Sequence, residues 1–315
     1  MHIEKESIRT YNKIIQSKRI TDNTNRGGEK RKMQKKQGVK GFFSKLYRYR
    51  IFLLMLLPAV VYTLIFSYYP MTGIVMAFKK YNYADGILGS PWCGLDNFKF
   101  LFQSKDAWII TRNTLLYNVA FIAVNMIVGI AVAILICEVR NNKMKKLYQS
   151  AILLPFLMSM VILSYIVYAL LSSENGLINN TILSALGKEP VQWYQQPKYW
   201  PFILVFANCW KGVGYGCLIY IASIIGIDLS YYEAASLDGA TKWQQITKIT
   251  LPSLVPTIIT LLLLNIGRIF YSDFGLFYQV PMNSGVLFPT TNVIDTYVYR
   301  ALIERGNISM SSAAG

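Results

Sequence analysis

Two long apolar runs are separated by Glu233-Ala234-Ala235-Ser236-Leu237-Asp238-Gly239-Ala240, which continues through Thr241 to Ile249-Thr250-Leu251-Pro252. Apolar runs of this length are typical of membrane helices, whereas the polar residues between them include helix-capping residues. We call residues 228–252 the elbow. Their pattern predicts two short helices joined by a tight turn.

The first helix of the elbow is predicted from residues at both of its ends. Ser230 and Glu233 have the spacing of a capping box, in which both side chains satisfy backbone amides of the first turn. We therefore expect the helix to begin near Tyr231. We expect Gly239 to end it, because glycine reaches the left-handed conformation without a steric penalty.

The second helix of the elbow is predicted from Thr241 and Gln244, which repeat the capping-box spacing. It leads into the next apolar run at Leu251-Pro252. One face of this helix carries Trp243, Ile246 and Ile249 or Thr250. The two helices together predict a stiff connector.

The composition of the whole chain indicates a membrane protein. The chain has 315 residues, of which 53% are hydrophobic, and its mean hydropathy is positive. That is too apolar for a soluble domain with a single core. The net charge of +16 could suggest nucleic acid as a partner. However, residues 1–50 hold 15 Lys or Arg against 4 Asp or Glu, so we interpret the charge as a marker of membrane side and expect no nucleic acid.

The N-terminal tail, residues 1–50, is polar and basic, which predicts disorder over most of its length. Residues 41–50 mix aromatic and basic side chains, a composition suited to the headgroups of anionic membrane lipid. The alternative is that these charges only fix the topology of the chain. A cleaved signal peptide is not indicated, because the following apolar run is full length and is one of several.

Five membrane spans are predicted from runs of about 20 apolar residues. They are Ile51–Tyr69, Tyr117–Cys137, Tyr148–Leu171, Trp200–Ile227 and Leu251–Tyr271. With the basic tail in the cytoplasm, the basic loop at residues 140–146 and the elbow also fall on the cytoplasmic side. The loops at residues 70–116 and 172–199 then lie outside.

The pattern Glu-Ala-Ala, three residues, Gly, nine residues, Ile-x-Leu-Pro resembles the signature loop of ABC importer permeases. In that family the loop is the coupling helix that docks into a cleft on a cytoplasmic ATPase. The resemblance implies contacts to the ATPase for Glu233, Ala234, Ala235, Asp238, Gly239, Ile249, Leu251 and Pro252. For Glu233, helix capping and a charged contact with the ATPase remain alternatives. For the loop as a whole, the alternative is an ordinary helix-turn-helix connector.

The resemblance implies a fold and a set of partners. The fold is all-α: a polytopic α-helical membrane protein of the type I ABC importer permease kind, with residues 51–315 as its transmembrane domain. The implied partners are a second permease subunit, two cytoplasmic ATPase subunits and an extracellular solute-binding protein. ATP and Mg would be bound by the ATPase subunits and no cofactor by this chain. The implied location is the bacterial cytoplasmic membrane.

The same family usually has a sixth span that leads to a cytoplasmic C-terminus, and a similar Ala-Ala-Gly normally opens it. This sequence ends at Ser311-Ser312-Ala313-Ala314-Gly315 after five predicted spans. We therefore expect the sequence to be truncated there.

Four further segments resemble the carbohydrate permeases of the maltose and oligosaccharide type. They are Leu154-Pro155, residues 176–179, residues 210–214 and residues 293–300. The resemblance implies an ATP-driven importer of a carbohydrate, with an importer of another solute, such as a phosphonate or an amino acid, as the alternative.

Catalytic chemistry has no visible basis in the sequence. The one histidine is His2, no glycine-rich phosphate loop occurs, and the four cysteines are scattered without a metal-binding spacing. A membrane-embedded enzyme is therefore a weaker hypothesis than a transport subunit, and a passive scaffold would have no use for the Glu-Ala-Ala pattern.

Polar side chains within the predicted spans are candidates for a substrate pathway, because burying them in a bilayer is costly. They are Asn125, Asn208, Trp210, Lys211, Asn265, Arg268, Tyr271 and Asp273. Amide, guanidinium and aromatic groups bind sugars through hydrogen bonds and ring contacts. The spacing of Asn265, Arg268 and Tyr271 (or Ser272) predicts one helical face. The alternatives are bonds between helices or an Arg268–Asp273 ion pair. For Lys211 they are pairing with a neighbouring group or lining water.

Overall fold

The computed structural model describes residues 47–99 and 103–315 of the chain. These residues form helices and turns, with one isolated β-bridge between Lys79 and Trp92. The prediction of an all-α protein is confirmed. The predictions for the basic tail concern residues that lie almost entirely outside the described part of the chain.

The α-helices follow one another along the whole described chain. They are α1 (Arg50–Thr63), α2 (Lys105–Glu138), α3 (Asn142–Leu157), α4 (Met160–Leu171), α5 (Trp200–Ile225), α6 (Leu229–Leu237), α7 (Lys242–Gln245), α8 (Leu251–Ile266), α9 (Phe274–Gln279), α10 (Phe288–Thr291), α11 (Ile294–Ile303) and α12 (Ile308–Ala314). Single α-helical turns occur at Tyr69–Met71 and Gly86–Gly89. Turns of 3₁₀ type occur at Thr72–Phe78, Asp96–Phe98, Trp193–Gln195, Pro197–Tyr199 and Gly285–Leu287, and π-helical turns at Leu64–Tyr68, Ile178–Leu183 and Ile246–Thr250.

The chain divides into two compact units between Gly73 and Ile74. In the first unit, α1 continues through the π-helical turn at Leu64–Tyr68, and its side chains are exposed. An apolar helix of this kind needs lipid or another helix around it. The second unit contains the remaining helices described below.

Helices α2 and α5 form the central pair of the second unit and pack along each other. At the end of α5 nearer the elbow, Gly129 of α2 lies against the ring of Tyr220, where an added Cβ would come within 3.3 Å of that ring. At the opposite end, Trp200 and Phe277 are buried in a second apolar cluster. We call these two ends the elbow end and the far end.

Four helical segments are long and apolar enough to cross a membrane: Arg50–Phe78, Lys105–Glu138, Pro197–Ile225 and Lys242–Ile266. Helices α3 and α4 make a fifth span if the bent pair is taken together. The structure thus has four of the predicted spans as single helices, and five if the bent pair counts as one span. Helix α2 begins twelve residues before the predicted span because Ser104 caps it by accepting a hydrogen bond from the Ala107 amide.

The third span is not the continuous helix that the sequence predicts. Helices α3 and α4 meet at an angle of 96°, with Met158 and Ser159 between them in extended conformations. Pro155 lacks the amide that would continue the hydrogen-bond ladder, and the Ser159 hydroxyl accepts from the Ile162 amide to start α4. Proline and a new N-cap together break the span.

The fifth span also ends earlier than predicted. Helix α8 stops at Ile266, and tight turns follow in which the amides of Arg268 and Tyr271 donate to the carbonyls three residues before them. The prediction that Asn265, Arg268 and Tyr271 share one helical face is therefore wrong, because only Asn265 is helical.

Candidate functional site

The first limb of the elbow is α6, and its start differs from the prediction. The Asp228 carboxylate accepts a hydrogen bond of 2.9 Å from the Ser230 amide, and the helix begins at Leu229. Hydrogen bonds from Ser230 hold the pKa of the Asp228 carboxyl below its usual range. The predicted Ser230–Glu233 capping box is wrong, because an aspartate two residues earlier caps the helix. Glu233 lies in the second turn with an exposed side chain, so capping is not its role.

The bend of the elbow is a Schellman motif centred on Gly239. The Gly239 amide donates to the Ser236 carbonyl over 3.2 Å, and the Ala240 amide donates to the Ala235 carbonyl over 2.9 Å. Gly239 has a φ of +78°, which other residues rarely adopt. The prediction that Gly239 ends the first helix is confirmed.

The second limb of the elbow starts with the predicted capping box. The Gln244 amide donates to the Thr241 hydroxyl over 3.3 Å, and the Thr241 amide donates to the Gln244 side-chain oxygen over 2.7 Å. The helix then passes through the π-helical turn at Ile246–Thr250 into α8 without interruption. Pro252 follows the π-helical turn within this continuous helix, and its missing amide leaves a gap in the hydrogen-bond ladder there.

Side chains tie the two limbs together. Gln245 is buried and donates from its amide to the Ser236 hydroxyl over 2.9 Å. The hydroxyls of Tyr232 and Thr250 form a second bond of 2.9 Å. Because both bonds cross from α6 to the second limb, the elbow is held as one unit.

The outer surface of the elbow combines small, charged and large apolar side chains. Leu237 is 90% exposed and Trp243 is 71% exposed. Glu233 and Ala234 are exposed beside them, and Ala235 is half-buried. Exposed apolar side chains next to small residues are typical of a docking surface.

A cavity of about 430 Å³ lies among α2, α5 and α8. Its wall is rich in amides and aromatic rings, and it includes six of the predicted pathway residues: Asn125, Asn208, Asn265, Arg268, Tyr271 and Asp273. Three further wall residues, Asn118, Tyr215 and Tyr220, were not singled out from the sequence. Asn118 and Tyr215 could have been found from the sequence, because each lies seven residues from Asn125 or Asn208 and so on the same helical face.

Two amides meet in this wall. The Asn125 side chain donates to the Asn208 side-chain oxygen over 2.7 Å, which joins α2 to α5. The Asn125 side-chain oxygen is buried and has no partner among the residues that the structure describes. A buried oxygen without a partner is costly, so this atom is a candidate for a hydrogen bond from a ligand or water.

Charge in the cavity is not neutralised by an internal ion pair. In residues 47–99 and 103–315, ion pairs within 4.0 Å join Lys99 to Asp96 and Lys242 to Glu138, and none includes Arg268. Asp273 instead accepts from the Leu276 amide over 3.1 Å as the N-cap of α9. The alternative of an Arg268–Asp273 pair is therefore not realised, and the exposed Arg268 guanidinium remains available to the cavity.

Residues 125–303 match the family described as "Binding-protein-dependent transport system inner membrane component". The chain belongs to this family. It is 36% identical to the polygalacturonan/rhamnogalacturonan transport system permease protein YteP of Bacillus subtilis (strain 168), over 89% of this chain and 87% of that protein.

Two crystal structures share the fold of this family member. One is a bacterial ABC transporter involved in the import of the acidic polysaccharide alginate, with a TM-score of 0.79, 35% identity, and coverage of 87% of this chain and 91% of that chain. The other is a bacterial alginate ABC transporter in complex with an alginate pentasaccharide-bound periplasmic protein, with a TM-score of 0.78, 34% identity, and coverage of 87% and 90%. The chain is thus a multi-pass membrane protein with the permease fold.

Two predicted pathway residues of this inner membrane component lie away from the cavity. Trp210 lines an apolar groove between α4 and α5. Lys211 donates to the carbonyls of Phe156 and Met158 at the break in the third span. The structure thus favours the alternative for Lys211, pairing with a neighbouring group. Across the described ranges, no group of three or more His, Cys, Asp or Glu could hold a metal ion.

The residues that brace the elbow carry little sequence signal of their own. Glu138, at the end of α2, lies 3.5 Å from Lys242 and so connects a third helix to the elbow. Ser223 and Thr257 join α5 to α8 through their hydroxyls over 2.9 Å. Such polar pairs between helices could be suspected from small polar residues at the helix ends, but their partners depend on the packing.

Proposed function

We propose that the chain is the permease subunit of an ATP-driven carbohydrate importer, and that its elbow couples a cytoplasmic ATPase to movement of the cavity helices. The observation that carries the proposal is the braced elbow itself, which joins two helices of the cavity wall in a member of a transport family. The sugar assignment is supported by the relative YteP and by the polar and aromatic cavity wall.

The elbow is suited to receive force because its surface can bind a partner while its interior stays fixed. Leu237 and Trp243 supply exposed apolar area, and Ala234 and Ala235 allow a partner to approach closely. Glu233 adds a charge at the same surface. The two internal bonds, Gln245–Ser236 and Tyr232–Thr250, resist separation of the limbs when the partner moves.

Two helices connect the elbow to the cavity. Helix α5 enters the elbow and carries Asn208, and α8 leaves it and carries Asn265. Because one rigid connector joins both helices, a tilt of the elbow would displace two walls of the cavity together. Such rocking of helices around a central site is what alternating access requires.

Carbohydrate is the substrate class that fits the groups of the cavity. Side-chain amides both donate and accept hydrogen bonds, which matches sugar hydroxyls, and aromatic rings contact the apolar faces of sugars. Asn125 and Asn208 supply amides, and Tyr271 supplies an exposed ring.

The proposed assembly contains further subunits. A second permease would complete the pathway, two ATPase subunits would bind ATP and Mg, and an extracellular solute-binding protein would deliver the sugar. We place the elbow and the N-terminus in the cytoplasm of a bacterial cell because the basic tail and the basic loop at residues 140–146 favour that side.

The test is reconstitution of the chain in nanodiscs with the permease, ATPase and binding protein encoded beside it. We expect ATP hydrolysis to rise several-fold when the binding protein is loaded with oligosaccharide, and the chain to cross-link to the ATPase through a cysteine at Leu237. The proposal would be refuted if no loaded binding protein raised the rate of ATP hydrolysis. It would also be refuted if the elbow could be cross-linked only from the outer face of the membrane.

A further inference from the structure

Lys211 places its ammonium group at the break in the third span. Its Nζ donates to the Phe156 carbonyl over 2.9 Å and to the Met158 carbonyl over 2.6 Å. Both carbonyls belong to the chain where α3 ends and turns through 96° into α4. The lysine itself lies on α5, near the middle of the fourth span.

The backbone carbonyls at the break need a hydrogen-bond donor, and a positively charged one suits them. The last carbonyls of a helix have no partner within the helix, and in a bilayer they cannot be satisfied by bulk water. They also carry the negative end of the helix dipole, which a cation compensates. The ammonium group lies 5.6 Å from the centre of the Phe156 ring, which adds a cation–π contact.

The surrounding packing keeps the lysine at the break. At Gly214, one turn further along α5, an added Cβ would come within 2.1 Å of the Ile152 carbonyl oxygen of α3. The two backbones therefore touch, and only glycine allows it. On the other side of the break, the Ser159 hydroxyl and carbonyl accept from the amides of Ile162 and Leu163.

We propose that Lys211 is a positioning residue that acts as a tethered cation, fixing the end of α3 at the break in the third span to α5. Carbonyls at the ends of broken membrane helices form cation sites in ion-driven transporters. Here the chain supplies the cation itself. Because α5 runs directly into the elbow, the lysine makes the broken span follow the elbow as a unit.

The first readout is amide exchange at the break, which does not depend on the proposed transport function. In the purified assembly, Lys211→Met should raise hydrogen exchange of the Met158, Ile162 and Leu163 amides about tenfold or more, because two charge-assisted hydrogen bonds are lost. Lys248→Met removes an exposed lysine of the elbow and should leave these amides unchanged.

Chemical rescue distinguishes the effect of the positive charge from the effect of the side-chain volume. Lys211→Ala leaves space for propylammonium, which should restore slow exchange in the alanine variant and have no effect in the methionine variant. Wild-type exchange in Lys211→Met would overturn the proposal, and so would an alanine variant that propylammonium does not protect. If the methionine variant does not accumulate, Lys211→Arg should keep slow exchange, and fast exchange in that variant would equally contradict it.

The second readout rests on the proposed function. In the reconstituted importer, Lys211→Met should lower the amount of sugar moved per ATP several-fold while hydrolysis continues. Normal transport together with fast exchange would overturn the mechanical role of Lys211. Absence of transport in the wild-type assembly would refute the proposed function and leave the exchange result standing.

Discussion

Gln245 donates a hydrogen bond from its side-chain amide to the hydroxyl of Ser236, over 2.9 Å, across the bend of the elbow. The two residues are nine positions apart, and Gln245 is one of the few polar side chains buried in this part of the molecule. The bond closes the angle between α6 and the second limb. Together with the bond between the Tyr232 and Thr250 hydroxyls, it keeps the two limbs from moving independently, as a connector that transmits force requires.

Replacing this amide should loosen the elbow without unfolding it. Gln245→Met keeps the length of the side chain and removes the bond to Ser236, which costs about 1 kcal/mol for an ordinary hydrogen bond. We expect the chain to insert normally and ATP hydrolysis to continue, while uptake per ATP falls several-fold. Vesicle uptake and hydrolysis measured on the same preparation give this ratio.

The matched control for Gln245 is Thr247→Val. The Thr247 hydroxyl donates to the Trp243 carbonyl over 2.9 Å, so its bond stays within one limb. Loss of that bond should leave the uptake ratio unchanged. Equal losses in the two variants would mean that the bond across the bend has no special role.

Gly239, in the elbow, and Gly187, outside it, form the same type of turn. Substituting each in turn tests whether transport depends on the turn in the elbow or on any turn of this type. Both glycines have positive φ, +78° and +64°, and both donate to a carbonyl three residues earlier. Proline fixes φ near −65° and removes the amide, so either substitution breaks the same local motif. We expect Gly239→Pro to abolish uptake and Gly187→Pro to retain most of it, with both proteins present in the membrane.

Uptake and the amount of membrane protein are measured together for these two glycine variants. Transport that persists in Gly239→Pro contradicts coupling through the elbow. If both variants lose transport equally, the loss reflects backbone strain in general.

Asp228 and Ser230 are distinguished by which of them caps α6. Asp228→Ala removes the acceptor for the Ser230 amide, whereas Ser230→Ala keeps that amide and its partner. We expect faster exchange of the Ser230 amide and weaker stimulation of the ATPase in the first variant. The second variant loses only the side-chain hydrogen bond from Ser230 to Asp228, so both effects should be smaller there. If Asp228→Ala behaved like the wild type and Ser230→Ala were impaired, the capping box predicted from the sequence would be supported instead.

The lowered pKa of Asp228 gives the same cap a pH dependence. A carboxyl whose pKa is lower in the folded state stabilises the fold fully above its ordinary value of about 4, and this contribution disappears as the pH falls through the lowered value. The ionised cap is therefore complete at neutral pH. Exchange of the Ser230 amide should depend on pH below 4 beyond its intrinsic rate, and this dependence should vanish in Asp228→Ala.

The sequence predicts the parts of this protein that local chemistry determines. Gly239, the Thr241–Gln244 capping box and the number of apolar spans follow from backbone conformation, capping and length. Each of these depends on a few neighbouring residues, so no knowledge of the packing is needed.

The errors arise where two local signals compete or where distant helices meet. Asp228 and Ser230 are both good N-cap residues, and the sequence does not rank them. Pro155 is compatible with a kinked helix as well as with a break, and the close contact of Gly214 with α3 is visible only in the packed structure. Asn125 and Asn208 are 83 positions apart, so their hydrogen bond could not be read from either segment alone.

Arg268 supplies the last prediction, which concerns the substrate pathway. Its guanidinium lines the cavity and has no carboxylate within 4.0 Å among the described residues, because Asp273 caps α9. An arginine that binds a sugar should be needed for uptake and not for assembly. We therefore expect Arg268→Gln to raise the sugar concentration for half-maximal uptake several-fold, with the ATPase still bound. Arg268→Lys should lie in between, because it keeps the charge and loses the planar donor pair. If uptake were unchanged in Arg268→Gln, the side chain would not bind the sugar. If the bound ATPase were lost, the side chain would instead act in packing between subunits.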